Sequence, residues 1–379
     1  MTKARENSDY TGLAADIVAG DTAARAGRKN LIINGGMQVA QRATTYTLNA
    51  GASAYRTVDR WKQDWSLIGQ MTVEQSTDAP AGFTHSLKST VVAVSTDNFT
   101  SNSEYFMHQQ HIEGFTAAAL QYGTASAKPL TASFWVKANT PATYSAGFRA
   151  TMNSATWANH QAFTINVANT WEKKTLTFNP STAYQLANVG TSSSSGAFII
   201  SLANSANLGQ TTNLGSWVAG NLIGLDSTTN MDNLSTKAVG QFVAFTGVQL
   251  ELGSVATDFE HRSYGEELAL CQRYCYVAAG QAGIPFIAGA AYSTTGLYMT
   301  YNLPVPPRAP PTITISGGFY ISDQYAADFN SSNTSVGAGP NNNLINGRVR
   351  VDGLSGLTVG RFYGGAPNTS GTTIFDAEL

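Results

Sequence analysis

His108 and His111 are the residues whose type and spacing most readily suggest chemistry, because two nearby imidazoles can hold a metal ion. The residues around them alternate as in a strand, and side chains three positions apart on a strand point to opposite faces. The two rings therefore cannot chelate one ion together. His85, His160 and His261 are isolated in the sequence and suit surface or capping roles. We expect no metal ion and no other cofactor.

Paired carboxylates are the residues that cleave glycosidic bonds. Asp59 and Asp64 flank Trp61, and Glu104 and Glu113 flank a predicted strand. No motif fixes the geometry of either pair, so salt bridges and turn capping are the favoured roles. The sequence also lacks GxSxG, HExxH and Walker-type motifs. We therefore predict that the protein is not an enzyme.

A sugar-binding surface needs exposed aromatic rings beside amide and hydroxyl groups on a rigid scaffold. Most aromatic rings of a β-sandwich pack in its core, so a single ring is a weak signal. The Asn-rich end of the chain is the first place to look for a ligand. The candidate glycan-binding residues are Tyr325, Asn330, Asn341 and Trp157.

The two cysteines, Cys271 and Cys275, lie four positions apart on a predicted helix. Helical geometry at this spacing does not favour a disulfide. A zinc site would need a second pair of ligands, which the sequence does not supply. We expect both thiols to be small buried hydrophobic groups in a reducing compartment.

Composition narrows the class of protein. Charged residues make up 12% of the 379 residues and the net charge is −2, so the basic face that nucleic-acid binding requires is absent. No stretch is long and apolar enough for a signal peptide or a membrane helix. We expect synthesis in the cytosol, no membrane insertion and no nucleic-acid partner. Abundant Gly, Ser, Thr and Asn favour a β-sandwich of the extracellular or virion-surface kind.

Short segments of alternating polarity, separated by turn residues, run from about residue 86 to residue 252. In Thr131–Ala138, for example, Ala132, Phe134 and Val136 are expected to face inward. About ten such strands without long helices predict an all-β fold with an antiparallel jelly-roll sandwich. Asn30–Arg42 is predicted as two strands around a Gly-Gly break.

The predicted domains are an N-terminal attachment arm (1–29), the jelly roll (30–262), a connecting helix (263–280) and a small C-terminal β domain (281–379). Ser263 with Glu266 forms a capping box at the start of the helix. Leu268, Cys271 and Cys275 then follow helical spacing, and Gly280 ends the helix. Further strands are expected at 297–303, 312–316, 319–322, 347–351 and 357–363, with an exposed loop over 330–346.

Several stretches together resemble a family of bacteriophage tail-fibre and virion structural proteins. They are NLIINGGMQVAQR, YRTVDRWK, LTASFWVKA, TWEKKTLTF, the long segment GVQLELGSVATDFEHRSYGEELALCQRYCY, LPVPPRAPPTITISG and the terminal DAEL. The resemblance implies a carbohydrate-binding-module-like jelly roll, a homotrimer, a location in the virion and a structural or adhesive role. It covers residues 30–379 better than the leader.

These observations favour a tail fibre or receptor-binding fibre subunit without catalysis. Residues 1–29 would bind other virion proteins, and the distal β domain would meet host surface polysaccharide. A head-decoration, head-fibre or collar protein without a receptor role is the first alternative. A polysaccharide depolymerase is the second.

Overall fold

The computed structural model describes residues 28–49, 53–66, 68–97, 99, 104–228, 230–279, 287–316, 319–323, 328–331, 335–338, 346–352, 354–367 and 372–379. The chain divides into two compact units, Met1–Arg262 and Ser263–Leu379. Most of the arm predicted for residues 1–29 lies outside the described residues. No helix in the described ranges is long and apolar enough to cross a membrane.

The first unit is built from antiparallel strands and very short helices. Its strands are β1 (Thr45–Leu48), β2 (Ala54–Tyr55), β3 (Lys62–Ser66), β4 (Gln70–Ser76), β5 (Ser86–Ala93), β6 (Tyr105–Glu113), β7 (Leu130–Ala138), β8 (Ala142–Met152), β9 (Ala155–Ile165), β10 (Glu172–Phe178), β11 (Ser194–Asn204), β12 (Gly209–Gln210), β13 (Val218–Ala219), β14 (Gly224–Leu225) and β15 (Phe242–Leu252). Its helical segments are α1 (Gly114–Ala117) and the 3₁₀ turns Ala118–Leu120, Ala206–Leu208 and Leu234–Thr236.

Two large sheets form a jelly-roll β-sandwich, which confirms the predicted fold class. One sheet has the order β1-β4-β5-β15-β7-β10, and the other has the order β13-β9-β8-β11-β6-β3-β2. Their inner faces share one hydrophobic core. Trp61 meets Phe245 at a ring-centroid distance of 5.4 Å, and Phe134 meets Phe163 at 5.1 Å, both edge to face. The predicted inward alternation of β7 is also confirmed, since Ala132, Phe134 and Val136 are fully buried.

The prediction of two strands over residues 30–42 is wrong. This segment is extended and irregular, and it lies along β15 through separate hydrogen bonds. Leu31 N–H donates to the Leu250 carbonyl at 2.8 Å, and Val248 N–H donates to the Gly35 carbonyl at 2.9 Å. The Asn30 amide supplies what a regular ladder would have supplied, because it donates to Val248 O and accepts from Leu250 N–H, both at 3.0 Å.

Residues 260–262, at the end of the first unit, also bind the segment that begins at Asn30. The Glu260 carboxylate accepts from the backbone N–H of Asn30 at 2.8 Å, and from Arg262 Nε at 2.8 Å. Arg262 also donates to the carbonyls of Asn30 at 2.8 Å and Ile32 at 3.2 Å. We call residues 30–35, 248–250 and 260–262 the terminal clamp. It joins the beginning and the end of the sandwich.

The second unit contains β16 (Cys275–Ala279), β17 (Ile287–Ala291), β18 (Gly296–Asn302), β19 (Thr312–Ser316), β20 (Phe319–Ser322), β21 (Asp328–Ser331), β22 (Ser335–Ala338), β23 (Asn346–Asp352), β24 (Phe362–Pro367) and β25 (Thr372–Asp376). The strand orders are β16-β25-β19 and β21-β20-β24-β17-β18-β23-β22. Leu297, Met299 and Tyr301 of β18 alternate into its core, as predicted. The strand expected at 357–363 begins at Phe362, and strands β21 and β22 occupy part of the expected loop.

Helix α2 (Tyr264–Gln272) begins as predicted, since the Ser263 hydroxyl accepts from Glu266 N–H at 3.3 Å. The prediction that it continues to Gly280 is wrong. Cys275 begins β16 and pairs with Asp376 of β25, so the two cysteines do not share a helical stripe. The distant strand outweighs the local helical spacing. Both cysteines are buried and neither forms a disulfide, which agrees with the expected packing role.

Candidate binding cleft

An open cleft of about 260 Å³ lies on the outer face of the seven-stranded sheet. Four neighbouring strands and one loop contribute to it, and seven of its ten lining residues have polar side chains. The lining residues are His111 from β6, Arg149, Ala150 and Thr151 from β8, Thr156 from β9, Ser194, Ser195, Gly196 and Ala197 from β11, and Asn221.

Strand alternation places Arg149 in this cleft. Tyr144, Ala146 and Phe148 of β8 point into the core, so Ser145 and Arg149 point to the opposite face. Cross-strand pairing then puts Arg149 beside Ala197 of β11, and the same register puts His111 on the other side of Ala197. The sheet thus places Arg149 and His111, which are more than thirty positions apart in the sequence, on the same face.

The Arg149 guanidinium is half-buried and contacts neutral oxygens. Nη1 donates to the Asn221 amide oxygen at 3.1 Å, and Nη2 makes a long contact of 3.5 Å with the Gln109 amide oxygen. Burial lowers the pKa of Arg149, and the charge of Asp64 opposes that shift. Within the described part of the chain, no carboxylate lies at ion-pair distance from this guanidinium.

Asp64 is the acidic residue nearest in this network, and its oxygens are engaged elsewhere. Oδ2 accepts from Gln109 Nε2 at 2.9 Å, and Oδ1 accepts from the Ser53 hydroxyl. Burial raises the pKa of Tyr105, and the Asp64 carboxylate raises it further. Gln109 therefore lies between the Asp64 carboxylate and the Arg149 guanidinium. Asp64 acts on the charge of Arg149 from a distance and does not form an ion pair with it.

Hydroxyl groups form the rim of the cleft. The Ser194 hydroxyl lies 3.0 Å from His111 Nδ1, and Thr151 and Thr156 face each other across the β8–β9 pair. Thr151 is exposed and Thr156 is half-exposed. The cleft thus offers a guanidinium, an amide, an imidazole and several hydroxyls to a polar ligand.

The segment after β11 covers the rest of the outer face. Leu208 and Ile223 pack there on Met107 and Ile199. Leu225 N–H donates to the Ser145 hydroxyl at 3.1 Å. Burial under this segment lowers the pKa of His160 to about 4. The covering segment therefore occupies this part of the outer face, and the cleft lies beside it at Arg149 and Asn221.

Trp157, the one candidate in the first unit, is next to Thr156 of the cleft but points the other way. Its ring stacks on Tyr184 with a centroid distance of 4.1 Å and packs against the core. One ring face is therefore already occupied, and only the opposite face remains for a sugar. Its proposed contact with glycan stays a prediction.

The other three candidates belong to the second unit. Tyr325 and Asn341 lie outside the described residues, and Asn330 is in β21 with its backbone opposite Tyr320. The same unit has an aromatic and charged surface that sequence reasoning missed. Tyr292 and Tyr298 have centroids 4.7 Å apart, and the Arg350 guanidinium lies 5.2 Å from the Tyr292 ring. Alternation in β18 and β23 is the signal that could have identified it.

The residues first considered for chemistry have structural roles. His108 lies in the sandwich core, 2.8 Å from the Ser89 hydroxyl, and burial lowers its pKa to about 3. His111 is on the other face, as expected from their spacing. Asp59 accepts from the backbone N–H of Gln41 at 3.0 Å and from the Gln41 side-chain amide, so it joins two segments eighteen positions apart rather than capping a turn. In the described ranges, no group of three or more His, Cys, Asp or Glu residues is arranged to hold a metal ion.

No protein-family model and no curated protein matches this sequence. Among solved structures, the chain is similar to the enzymatically active domain of tailspike protein 4 of bacteriophage CBA120. The identity is 15% and the TM-score is 0.30, over 59% of this chain and 21% of that chain. This chain therefore spans only about a fifth of that structure.

Two further similar structures contain carbohydrate-binding modules. One is TmCBM61 in complex with β-1,4-galactotriose, with 8% identity, a TM-score of 0.27, and coverage of 59% of this chain and 99% of that chain. The other is the CBM22-1–CBM22-2 tandem domain of Xyn10C from Paenibacillus barcinonensis, with 10% identity, a TM-score of 0.28, and coverage of 87% and 97%. Values this low transfer no ligand and no activity to this chain.

Proposed function

We propose that this chain is a bacteriophage virion protein that binds host surface polysaccharide without cleaving it. The observation that carries the proposal is the open cleft on the seven-stranded sheet. A rigid antiparallel scaffold holds the guanidinium of Arg149, the amide of Asn221 and the hydroxyls of Thr151 and Thr156 at one opening. Such convergent polar groups on regular strands suit a ligand rich in oxygen atoms.

Binding without catalysis is favoured by the chemistry of the cleft lining. Glycoside hydrolysis uses two carboxyl groups that flank the scissile bond. The lining residues include neither Asp nor Glu. Asp64 lies behind Gln109 and is engaged by two donors, so it is poorly placed to act as an acid or a base. If the full chain releases new reducing ends from host polysaccharide, the depolymerase alternative is correct.

The proposed location in the virion is supported by the sequence resemblance and by the low content of charged residues. In this proposal the protein is a tail fibre or receptor-binding fibre subunit that forms a homotrimer. Residues 1–29 attach it to other virion proteins. Light scattering of the full chain at micromolar concentration is expected to give the mass of a trimer, and a monomer would contradict this part. Gold labelling of virions distinguishes a tail position from the head-decoration and collar alternatives.

Binding is tested with the full chain and fluorescently labelled host cells or purified host surface polysaccharide. Thr151→Trp places an indole in the opening of the cleft, from an exposed strand position. It is expected to reduce binding by about tenfold or more, since a filled opening excludes the ligand. Thr175→Trp adds the same ring at an exposed position of β10, in the other sheet, and should leave binding unchanged.

The outcomes separate two failures. If the wild-type chain binds neither the cells nor their polysaccharide, the proposed function is wrong. If it binds but Thr151→Trp binds equally well, the chain is a polysaccharide-binding protein with its site elsewhere, and the Tyr292 surface becomes the next candidate.

A further inference from the structure

The Arg149 guanidinium is a positive charge whose described contacts in the cleft are all with neutral oxygen atoms. A guanidinium has five N–H donors, and the described contacts of Arg149 are the two to the amide oxygens of Asn221 and Gln109. Compare Arg262, whose guanidinium is almost fully buried but meets a carboxylate oxygen at 2.8 Å. A half-buried cation that meets only neutral oxygens gains more from an added anion than from an added sugar hydroxyl.

Charges around the opening favour an anion as well. Lys62 of β3 is paired with Gln109 in the strand register, and alternation places its side chain on the same outer face as Arg149. His111 lines the opening itself. Asp64, an acidic residue of this face, is held by Gln109 and Ser53. An arriving anion therefore meets the Arg149 cation at the opening, and a second cation, Lys62, lies on β3, which is separated from β8 by β11 and β6.

The groups beside Arg149 suit a carboxylate attached to a sugar ring. A planar carboxylate can accept two parallel hydrogen bonds from a guanidinium. The hydroxyls of Thr151, Thr156 and Ser194 lie at the same opening, where sugar hydroxyls would meet them. A free small anion would leave these hydroxyl groups unused.

We propose that this cleft selects acidic polysaccharides by pairing Arg149 with the carboxylate of a uronic acid or another carboxylated sugar. The inference rests on the proposed polysaccharide-binding function and specifies its substrate class. Binding is non-covalent, so no bond is made or broken. The matched neutral sugar is expected to bind more weakly, because the guanidinium then keeps only its neutral partners.

The first test changes the ligand and leaves the protein intact. The full chain is titrated by calorimetry with polygalacturonate, alginate, hyaluronan and polysialic acid, and with the carboxyl-reduced form of each. A phosphodiester polymer, lipoteichoic acid, serves as the arm for phosphate anions. At least one carboxylated polymer is expected to bind about tenfold more tightly than its reduced form, since removing one partner of a desolvated charge pair typically costs that much or more.

The second test changes the protein. Arg149→Gln removes the charge and should lower the affinity for the carboxylated polymer to that of its reduced form. Arg149→Lys keeps the charge without the planar fork and should retain only part of the preference. Lys173→Gln removes a positive charge from an exposed position of β10 in the other sheet, and should change nothing. Circular dichroism confirms that each variant is folded, and the ligand comparison decides the matter if Arg149→Gln is not.

Each result supports or overturns the inference. It is overturned if carboxyl reduction changes the affinity less than twofold, if lipoteichoic acid binds in place of the carboxylated polymers, or if Arg149→Gln binds like the wild type. In these cases the polysaccharide-binding proposal survives, provided that some polymer binds and Thr151→Trp weakens it. If no polymer and no host surface polysaccharide binds, the proposed function and the inference both fail.

Discussion

The terminal clamp and the Arg149 cleft use similar polar residues in opposite ways. In the clamp, the Asn30 amide satisfies two backbone groups and Glu260 receives both a backbone N–H and the Arg262 guanidinium. In the cleft, Arg149 contacts neutral oxygens and its counter-charge is reached only through Gln109. Complete pairing is typical of groups that stabilise a fold. Incomplete pairing at an open surface is typical of groups kept for a ligand.

The most recognisable stretches of sequence contribute to the terminal clamp or contact it, and none of them lines the candidate cleft. Asn34, from NLIINGG, donates to the carbonyls of Val39 and Asp59 at 2.8 and 3.0 Å, and its own carbonyl accepts from Trp61 Nε1 at 3.3 Å. The stretch YRTVDRW is thus bound to NLIINGG, which in turn is bound to GVQLELG. Parts of three of the stretches that suggested the family resemblance therefore help to close the sandwich.

The largest expected effect is a break in the clamp at Gly35. A Cβ atom on Gly35 would overlap the carbonyl oxygen of Val248, which belongs to the backbone and cannot easily move. Gly35→Ala should therefore lower the free energy of unfolding by about 3 kcal/mol, the upper range for overpacking. Gly36→Ala is the matched control, since its nearest new contacts are at 3.8 Å. Urea unfolding of both variants measures the difference. Equal stabilities would show that the clamp is not tight.

Acid should lower the free energy of unfolding through buried histidines on both faces of the seven-stranded sheet. His108 on the core side and His160 under the covering segment have pKa values lowered to about 3 and about 4 by burial. The unfolded chain binds a proton at each below about pH 6.5, whereas the folded chain does not until much lower pH. Stability is therefore lost as the pH falls from about 6.5, by about 2 kcal/mol for each histidine at pH 5.

The variants His108→Gln and His160→Gln assign this loss to its source. Each should reduce the change in unfolding free energy between pH 7 and pH 5 by about half, whatever it does to stability at pH 7. Chemical denaturation at the two pH values measures it. A pH dependence that stays the same in both variants would mean that neither histidine is buried neutral.

A smaller effect is expected at Glu260 of the clamp. Burial alone would raise the pKa of this carboxyl, but the Asn30 N–H and Arg262 outweigh burial and lower it. Its contribution is therefore complete above about pH 4.3 and is lost as the pH falls through the folded pKa. Glu260→Gln should cost about 1.5 kcal/mol at pH 7 and flatten the stability curve below pH 4.3. Glu74→Gln, in a partly exposed pair with Lys88, should cost less than about 0.5 kcal/mol.

Alternation in the sequence predicted the positions of strands well, but it did not indicate which strands would pair with one another. β7 (Leu130–Ala138) begins within one residue of the predicted segment Thr131–Ala138, because alternation is a local property. The early end of α2 was missed because β25, about a hundred residues later, pairs with Cys275. The outward side of Arg149 was readable from the alternation of β8. Its half-burial was not, since the loop that supplies Asn221 meets it only after folding.

The smallest expected change in the free energy of unfolding is at Arg149. Comparing it with Arg262 is the clearest test of the difference between the cleft and the terminal clamp. Arg149→Met keeps the length of the side chain and removes a partly desolvated charge that has no direct carboxylate partner among the residues that the structure describes. Such replacements are often neutral or stabilising, so the free energy of unfolding should stay within about 0.5 kcal/mol of the wild type. Arg262→Met is the matched substitution in the clamp and leaves Glu260 without its cation. It should cost about 3 kcal/mol, because one partner of a largely buried pair is lost. Urea unfolding of the two variants side by side measures both values. If Arg149→Met is as costly as Arg262→Met, Arg149 stabilises the sandwich and the contrast between the clamp and the cleft is wrong.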